Sequence, residues 1–234
     1  MLGFRVKKMA TLGLAAAMLF GGTLFVAGPS QAAVEKATVS VFHAIPEGLG
    51  VDVVDVFADG TRVINNLKPG ELKSLRLRPG KYDIGIYVNG QRPTRDEPVL
   101  VIDDVRLLSG TCSTITANLD EAGNPATNVF ANCVSRNPVG QGRVTVRHVA
   151  AAPEVDVLVG GSVAFGSLSN GASATKRLPA TTYALTVALA DTDTRVLGPL
   201  NVTLTRPLNT IVYVWGSADA GTLAFKVQRV PINR

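Results

Sequence analysis

The chain has 234 residues, 46% of them apolar and 18% charged, with 23 basic and 18 acidic side chains. Setting aside Arg5, Lys7 and Lys8 at the N-terminus leaves 20 basic against 18 acidic groups, a near-neutral chain without a basic tract for nucleic acid. The remaining length, about two hundred residues, is enough for two domains of about one hundred residues, each burying its own core.

The basic start is followed by an uncharged run from Met9 to Ala27, a Gly28-Pro29 break, and the small residues Ser30, Ala32 and Ala33. This order predicts an export signal over residues 1–32, cleaved after Ala32, with Ala33 as the neighbouring alternative. An uncleaved anchor is the competing reading, because the run is nearly long enough to span a bilayer. Contact with a membrane is expected only through this segment.

Beyond this segment the chain repeats itself. Val54-Asp55-Val56 recurs as Val155-Asp156-Val157, and Gly60, Leu67, Gly70, Arg76, Leu77, Tyr82 and Pro98 recur as Gly161, Leu168, Gly171, Arg177, Leu178, Tyr183 and Pro199, always 101 positions later. His43 and His148 end matching strands at a separation of 105, so the first copy carries four extra residues between its His and its Asp. A constant offset of this kind marks two copies of one folding unit.

In chain order, Thr38 to His43 alternates as a strand, and Tyr82 to Val88 does so again; Arg143 to His148 and Tyr183 to Leu189 repeat them. Gly, Pro and Asn punctuate the runs at Lys68-Pro69-Gly70, Arg78-Pro79-Gly80, Val88-Asn89-Gly90 and Ser169-Asn170-Gly171. No helical period is sustained after the signal. The prediction is all-β: two tandem immunoglobulin-like antiparallel β-sandwich domains, over residues 33–135 and 143–234, joined by a polar linker at 136–142.

Cys112 and Cys133 are the only cysteines, 21 positions apart in the first copy. In an exported chain they are expected to form a disulfide worth about 3 kcal/mol by loop closure; two thiols of a metal site are the alternative. The second copy has no counterpart.

The order His43-Ala44-Ile45-Pro46, Val54-Asp55-Val56 and Gly60, with His148, Pro153, Val155-Asp156-Val157 and Gly161 in the second copy, resembles a bacterial exported family known as domain of unknown function 4397. Leu67 to Gly70 and Pro79 to Tyr82 fit the same pattern. The second copy departs from it where Val149-Ala150-Ala151-Ala152 succeeds the histidine. The resemblance covers nearly the whole exported chain. It implies a secreted, sandwich-like domain and brings no established activity or catalytic residues.

His43 and His148 share strand parity with Val39/Val41 and Val144/Val146, which points them towards the core and towards backbone groups of the next loop. One histidine per copy leaves zinc short of ligands. Nucleophile motifs and phosphate-cradling glycine loops are absent from the sequence. The carboxylate-rich stretches Asp52/Asp55/Asp59, Asp103-Asp104 and Asp191/Asp193 read as solvated turns rather than calcium loops. Tyr213 and Trp215 alternate with Val212 and Val214, so one set must be buried, and Trp215 is expected in a core or between the domains.

The repeat-motif residues His43, Pro46, Asp55, Gly60, His148, Pro153, Asp156 and Gly161 are therefore expected to be structural, with no catalytic, cofactor or metal residues. The function expected is an exported, non-catalytic binding or structural module of the bacterial envelope or extracellular space, with an unknown ligand there. The alternative is a secreted hydrolase-like enzyme with its site at the His-bearing loop ends.

Overall fold

The computed structural model describes residues 34–232, so the expected signal segment, with Ala32 and Ala33, lies outside the described residues. The first sandwich is built from β1 (Ala37–His43), β2 (Val54–Ala58), β3 (Thr61–Leu67), β4 (Leu72–Leu77), β5 (Gly80–Val88), β6 (Leu100–Leu107), β7 (Cys112–Leu119) and β8 (Pro125–Ala131). The second is built from β9 (Gln141–Ala151), β10 (Val155–Val159), β11 (Ser162–Leu168), β12 (Ser173–Pro179), β13 (Thr182–Leu189), β14 (Arg195–Thr203), β15 (Leu208–Ser217) and β16 (Ala224–Pro231). The described residues contain no helix.

Each sandwich pairs two four-stranded sheets in the same order: β4-β1-β7-β8 over β3-β2-β5-β6, and β12-β9-β15-β16 over β11-β10-β13-β14. All pairings are antiparallel except β1 with β7 and β9 with β15, which run parallel in both copies. Alternation builds each core. Val39 and Val41 meet Val54, Val56, Ile84, Ile86 and Ile115 in the first; Val144 and Val146 meet Val155, Val157, Leu185, Val187 and Val212 in the second. The β2–β3 and β10–β11 hairpins turn through two residues with positive φ, Asp59 (48°) with Gly60 (73°), and Gly160 (62°) with Gly161 (88°), the geometry whose twist suits a tight hairpin.

The offset of 101 fails again after β5. Tyr82 pairs with Val105 and Tyr183 with Val202, a difference of 97 rather than 101 between the partner residues. Pro98 lies in the loop before β6 and Pro199 lies within β14, so these two prolines are not equivalent. The β5–β6 loop of the first copy is the longer one, and the matching offset at the prolines is a coincidence of numbering.

The two sandwiches stack through the β4-β1-β7-β8 and β12-β9-β15-β16 sheets. Phe42, Ala44 and Phe130 of the first pack against Val149, Ile211, Tyr213 and Val230 of the second. The Phe42 ring lies 5.0 Å from that of Tyr213 and meets Trp215 edge-on at 5.8 Å. Both alternating sets of β15 are thereby buried: Val212 and Val214 in the sandwich core, Tyr213 between the sandwiches. Trp215 lies over Gly70, whose φ of 75° would strain any side chain and where an added Cβ would sit a tight 3.1 Å from the indole.

Arg147 is buried in this interface without a carboxylate partner. It donates to Asn132 Oδ1 (2.9 Å), the Ala131 carbonyl (2.9 Å) and the Tyr213 hydroxyl (2.6 Å). Its guanidinium stacks 4.4 Å from the Phe130 ring centre. Tyr213 in turn donates to Gln228, which donates to Ser40 and accepts from Thr114. Burial pulls the Arg147 guanidinium below its ordinary value, opposed by the neighbouring Tyr213. The stretch after β8 is held as well: buried Asn137 donates to the carbonyls of Arg206 and Leu208 and accepts from Arg143 Nε.

Candidate functional site

His43 ends β1, whereas β9 runs three residues past His148, to Ala151; the two rings nevertheless make corresponding contacts. His43 Nε2 lies 2.7 Å from the Val51 carbonyl, and His148 Nε2 lies 3.0 Å from that of Pro153. A carbonyl only accepts, so Nε2 carries the proton in both rings and Nδ1 the lone pair. His148 Nδ1 accepts from the Ala150 amide at 3.4 Å, whereas His43 Nδ1 is buried without a partner. The backbone around each ring is also repeated: the Gly70 amide donates to the His43 carbonyl and the Gly171 amide to that of His148. Burial pushes both imidazoles below the ordinary histidine value, and the carbonyl contacts offset it only in part. Each ring ties its strand to the loop that leads into Val-Asp-Val, and Pro46 is buried within the first of these loops.

Asp55 is not part of a solvated carboxylate patch: its carboxylate is fully buried. It accepts from the Asn66 amide (2.9 Å), Asn89 Nδ2 (3.1 Å) and Arg62 Nη1 (3.2 Å). Asp156 accepts from the Ser167 amide at 2.8 Å and the Asp191 amide at 3.4 Å. Asn66 and Ser167 hold positive φ values of 51° and 46° where both hairpins bulge, so each carboxylate captures the amide that the bulge turns out of the ladder. Burial raises the Asp55 carboxyl, but the Asn66, Asn89 and Arg62 hydrogen bonds outweigh it and leave the group below its ordinary range. Tyr82 and Tyr183 complete the set, donating to the carbonyls of Arg78 and Pro179 four residues back.

On the outer side of the first sandwich lies a cavity of about 300 Å³, lined by Phe57, Gly60, Arg62, Arg92, Pro93 and Thr94. Its apolar wall is the Phe57 ring, set edge-to-face against Tyr87 at 5.2 Å. Tyr87 lies across Gly85, where an added Cβ would sit 2.7 Å from the ring. Arg62 supplies one cation, anchored on Asp55 and half exposed. The long β5–β6 loop supplies Arg92, whose backbone amide is fixed by the Asp96 carboxylate at 2.8 Å. In the second copy the strand positions of Phe57, Arg62 and Tyr87 hold Leu158, Val163 and Ala188. The sequence signal for this cavity is the failure to repeat, to which a comparison of repeated residues is blind.

Cys112 at the start of β7 is bonded to Cys133 just after β8, with 5.3 Å between their Cα atoms. Asp191 and Asp193 are exposed in the β13–β14 turn, and Asp103 and Asp104 are exposed on β6. Among the described residues no three His, Cys, Asp or Glu side chains gather at metal-binding distance.

The chain belongs to the family described as Domain of unknown function (DUF4397), whose model matches residues 37–158: the first sandwich and the opening strands of the second. None of the curated proteins matches. A solved structure described as "Alpha-glucan binding by a streptococcal virulence factor" is similar over 81% of this chain and 97% of that chain, at 10% identity and a TM-score of 0.24. A likeness at that level carries no argument about the ligand of this chain.

Proposed function

We propose that this chain is an exported, non-catalytic binding module of the bacterial envelope or extracellular space, built from two copies of the family's domain. The observation that carries this reading is how the repeated polar side chains are used. His43, Asp55 and Tyr82 are engaged with backbone groups in the same way as His148, Asp156 and Tyr183. They are needed to fold each copy, so a role in one particular reaction does not explain them. The Cys112–Cys133 disulfide supports an oxidising location outside the cytoplasm.

Binding is assigned to the Phe57–Arg62–Arg92 cavity, because there the first copy departs from what the fold requires. Two guanidinium groups beside an aromatic wall suit a ligand that offers oxygen atoms, charged or hydroxyl, next to an apolar face. The reading as a hydrolase at the His-bearing ends is the weaker one, since both rings direct Nε2 at a carbonyl inside their own loop. The test is capture of purified cell-wall polymers and envelope proteins by the exported chain, compared with Arg92→Ala. Capture that is weakened in the variant supports the cavity; capture of equal strength removes it.

A further inference from the structure

The charge of the chain is divided between its halves. Residues 34–135 carry ten basic and thirteen acidic side chains, and residues 136–234 carry ten basic and five acidic, a balance of −3 against +5. Within the second sandwich the acids are also segregated. Glu154 and Asp156 come after β9, Asp191 and Asp193 occupy the β13–β14 turn, and Asp219 occupies the β15–β16 turn, all at the end that carries His148. Arg143 stands at the opposite end, at the start of β9, directly across from Arg177 on the edge strand β12.

These two arginines share a face with Thr175, and Arg143, Thr175, Lys176 and Arg177 line a depression of about 460 Å³. Arg143 is already held, through Nε to Asn137 Oδ1 and through Nη2 to the Ser135 carbonyl, so its guanidinium is fixed in place. Arg177 reaches the Ser135 hydroxyl at 3.2 Å. Both partners are neutral. The ion pairs found among the described residues, Arg62–Asp55, Lys73–Glu71 and Lys81–Asp104, all lie in the first sandwich. At the matching place in the first copy, Arg76 faces Thr38 instead of a second arginine, and Glu35 lines the adjoining surface. The second copy has therefore doubled the cation and left it without an acid.

Two neighbouring like charges, the buried one fixed and the other exposed, with no carboxylate beside them are an unfavourable arrangement that a bound oxyanion relieves. Burial, and then the Arg177 charge, already hold the Arg143 guanidinium below its ordinary value. We propose that the depression between Arg143, Thr175 and Arg177 binds a phosphate group, either as the free anion or as the diester of a polymer. This site is separate from the cavity of the first sandwich and stands or falls independently of it.

The test is titration of the exported chain with inorganic phosphate at constant ionic strength, monitored by the backbone amide NMR shifts of Thr175, Lys176 and Arg177. Saturable shifts at these amides are expected, with affinity reduced about tenfold in Arg177→Ala and unchanged in Arg76→Ala. Arg177→Gln repeats the test should the alanine variant fold poorly. A parallel titration with glycerophosphodiester identifies the diester form when it binds with the same Arg177 dependence. Absence of saturable shifts with either probe, or equal binding by wild type and the Arg177 variants, overturns the proposal.

Discussion

The carboxylate of Asp55 accepts the backbone amide of Asn66 at 2.9 Å, and one repeat later Asp156 does the same for Ser167 at 2.8 Å. A buried carboxylate on the outer side of a sheet is costly unless donors meet it. Here it fixes the amide that a positive-φ bulge would leave unpaired, so the Asp of Val-Asp-Val sets the register of its hairpin. Asp55→Ala is expected to cost about 3 kcal/mol, from lost hydrogen bonds to a charged group, and Asp156→Ala less because Asp156 has neither the Arg62 nor the Asn89 counterpart. Urea melts of the two variants check the order.

The same carboxylate sets an acid limit. Its folded pKa lies below its ordinary value of 3.8, so its contribution is present above that value and is lost as pH falls through the folded one. Asp55→Asn should flatten that acid arm of the stability curve, measured by thermal melts in steps of pH.

The histidines act in a higher window. Each is held below its ordinary value of 6.5 by burial, so the unfolded chain takes up protons first as pH falls below that point. Stability is expected to be level above about pH 7 and to decline from about 6.5 down to the folded values. His43→Ala and His148→Ala should each cost about 1–3 kcal/mol at neutral pH and remove part of this slope. Melts of both single variants at neutral and mildly acidic pH give the comparison.

Arg147 joins two sandwiches that their sequences present as separate. Arg147→Ala leaves Asn132 Oδ1, the Ala131 carbonyl and the Tyr213 hydroxyl short of their donor and opens a space against Phe130. A loss of about 3 kcal/mol or more is expected, with one calorimetric transition in the wild type and two in the variant. A single unshifted transition in the variant would show that the interface contributes little.

Reduction of Cys112–Cys133, or change of both residues to Ala, should lower stability by about 3 kcal/mol without altering the circular dichroism spectrum of the folded chain. The bridge joins the start of β7 to the chain just after β8, so its loss should loosen the β7–β8 end of the first sandwich. Hydrogen exchange at Ser113 and Ala131 locates that effect.

The repeat, the strands and the cysteine pair are legible in the residues because each leaves a local signature: offset, alternation and spacing. The stacking of the sandwiches is not. Arg143, Thr145 and Arg147 alternate with Val144 and Val146, the usual pattern of a strand with one face in water. Instead Arg147 is met by Asn132 and the Ala131 carbonyl of the first sandwich, Arg143 by the Asn137 side chain of the connecting stretch, and Thr145 by Asn209 of β15. Parity shows that Asp55 points away from the core but not that Asn89 and Arg62 close over it. The cavity leaves no local signature for a related reason: Arg92 and Phe57 lie far apart in sequence, and the β5–β6 loop that brings them together has no full-length counterpart in the second copy.

We propose that the repeated residues hold the fold and that ligand binding belongs to the Phe57–Arg62–Arg92 cavity. This is tested by capture of isolated envelope polymers and proteins by the exported wild type, Arg92→Ala and His148→Ala, at a temperature where all three are folded. Binding is expected to fall about tenfold or more in Arg92→Ala, as for truncation of an arginine at the centre of an interface, and to persist in His148→Ala. Unchanged binding in Arg92→Ala together with lost binding in folded His148→Ala would contradict it.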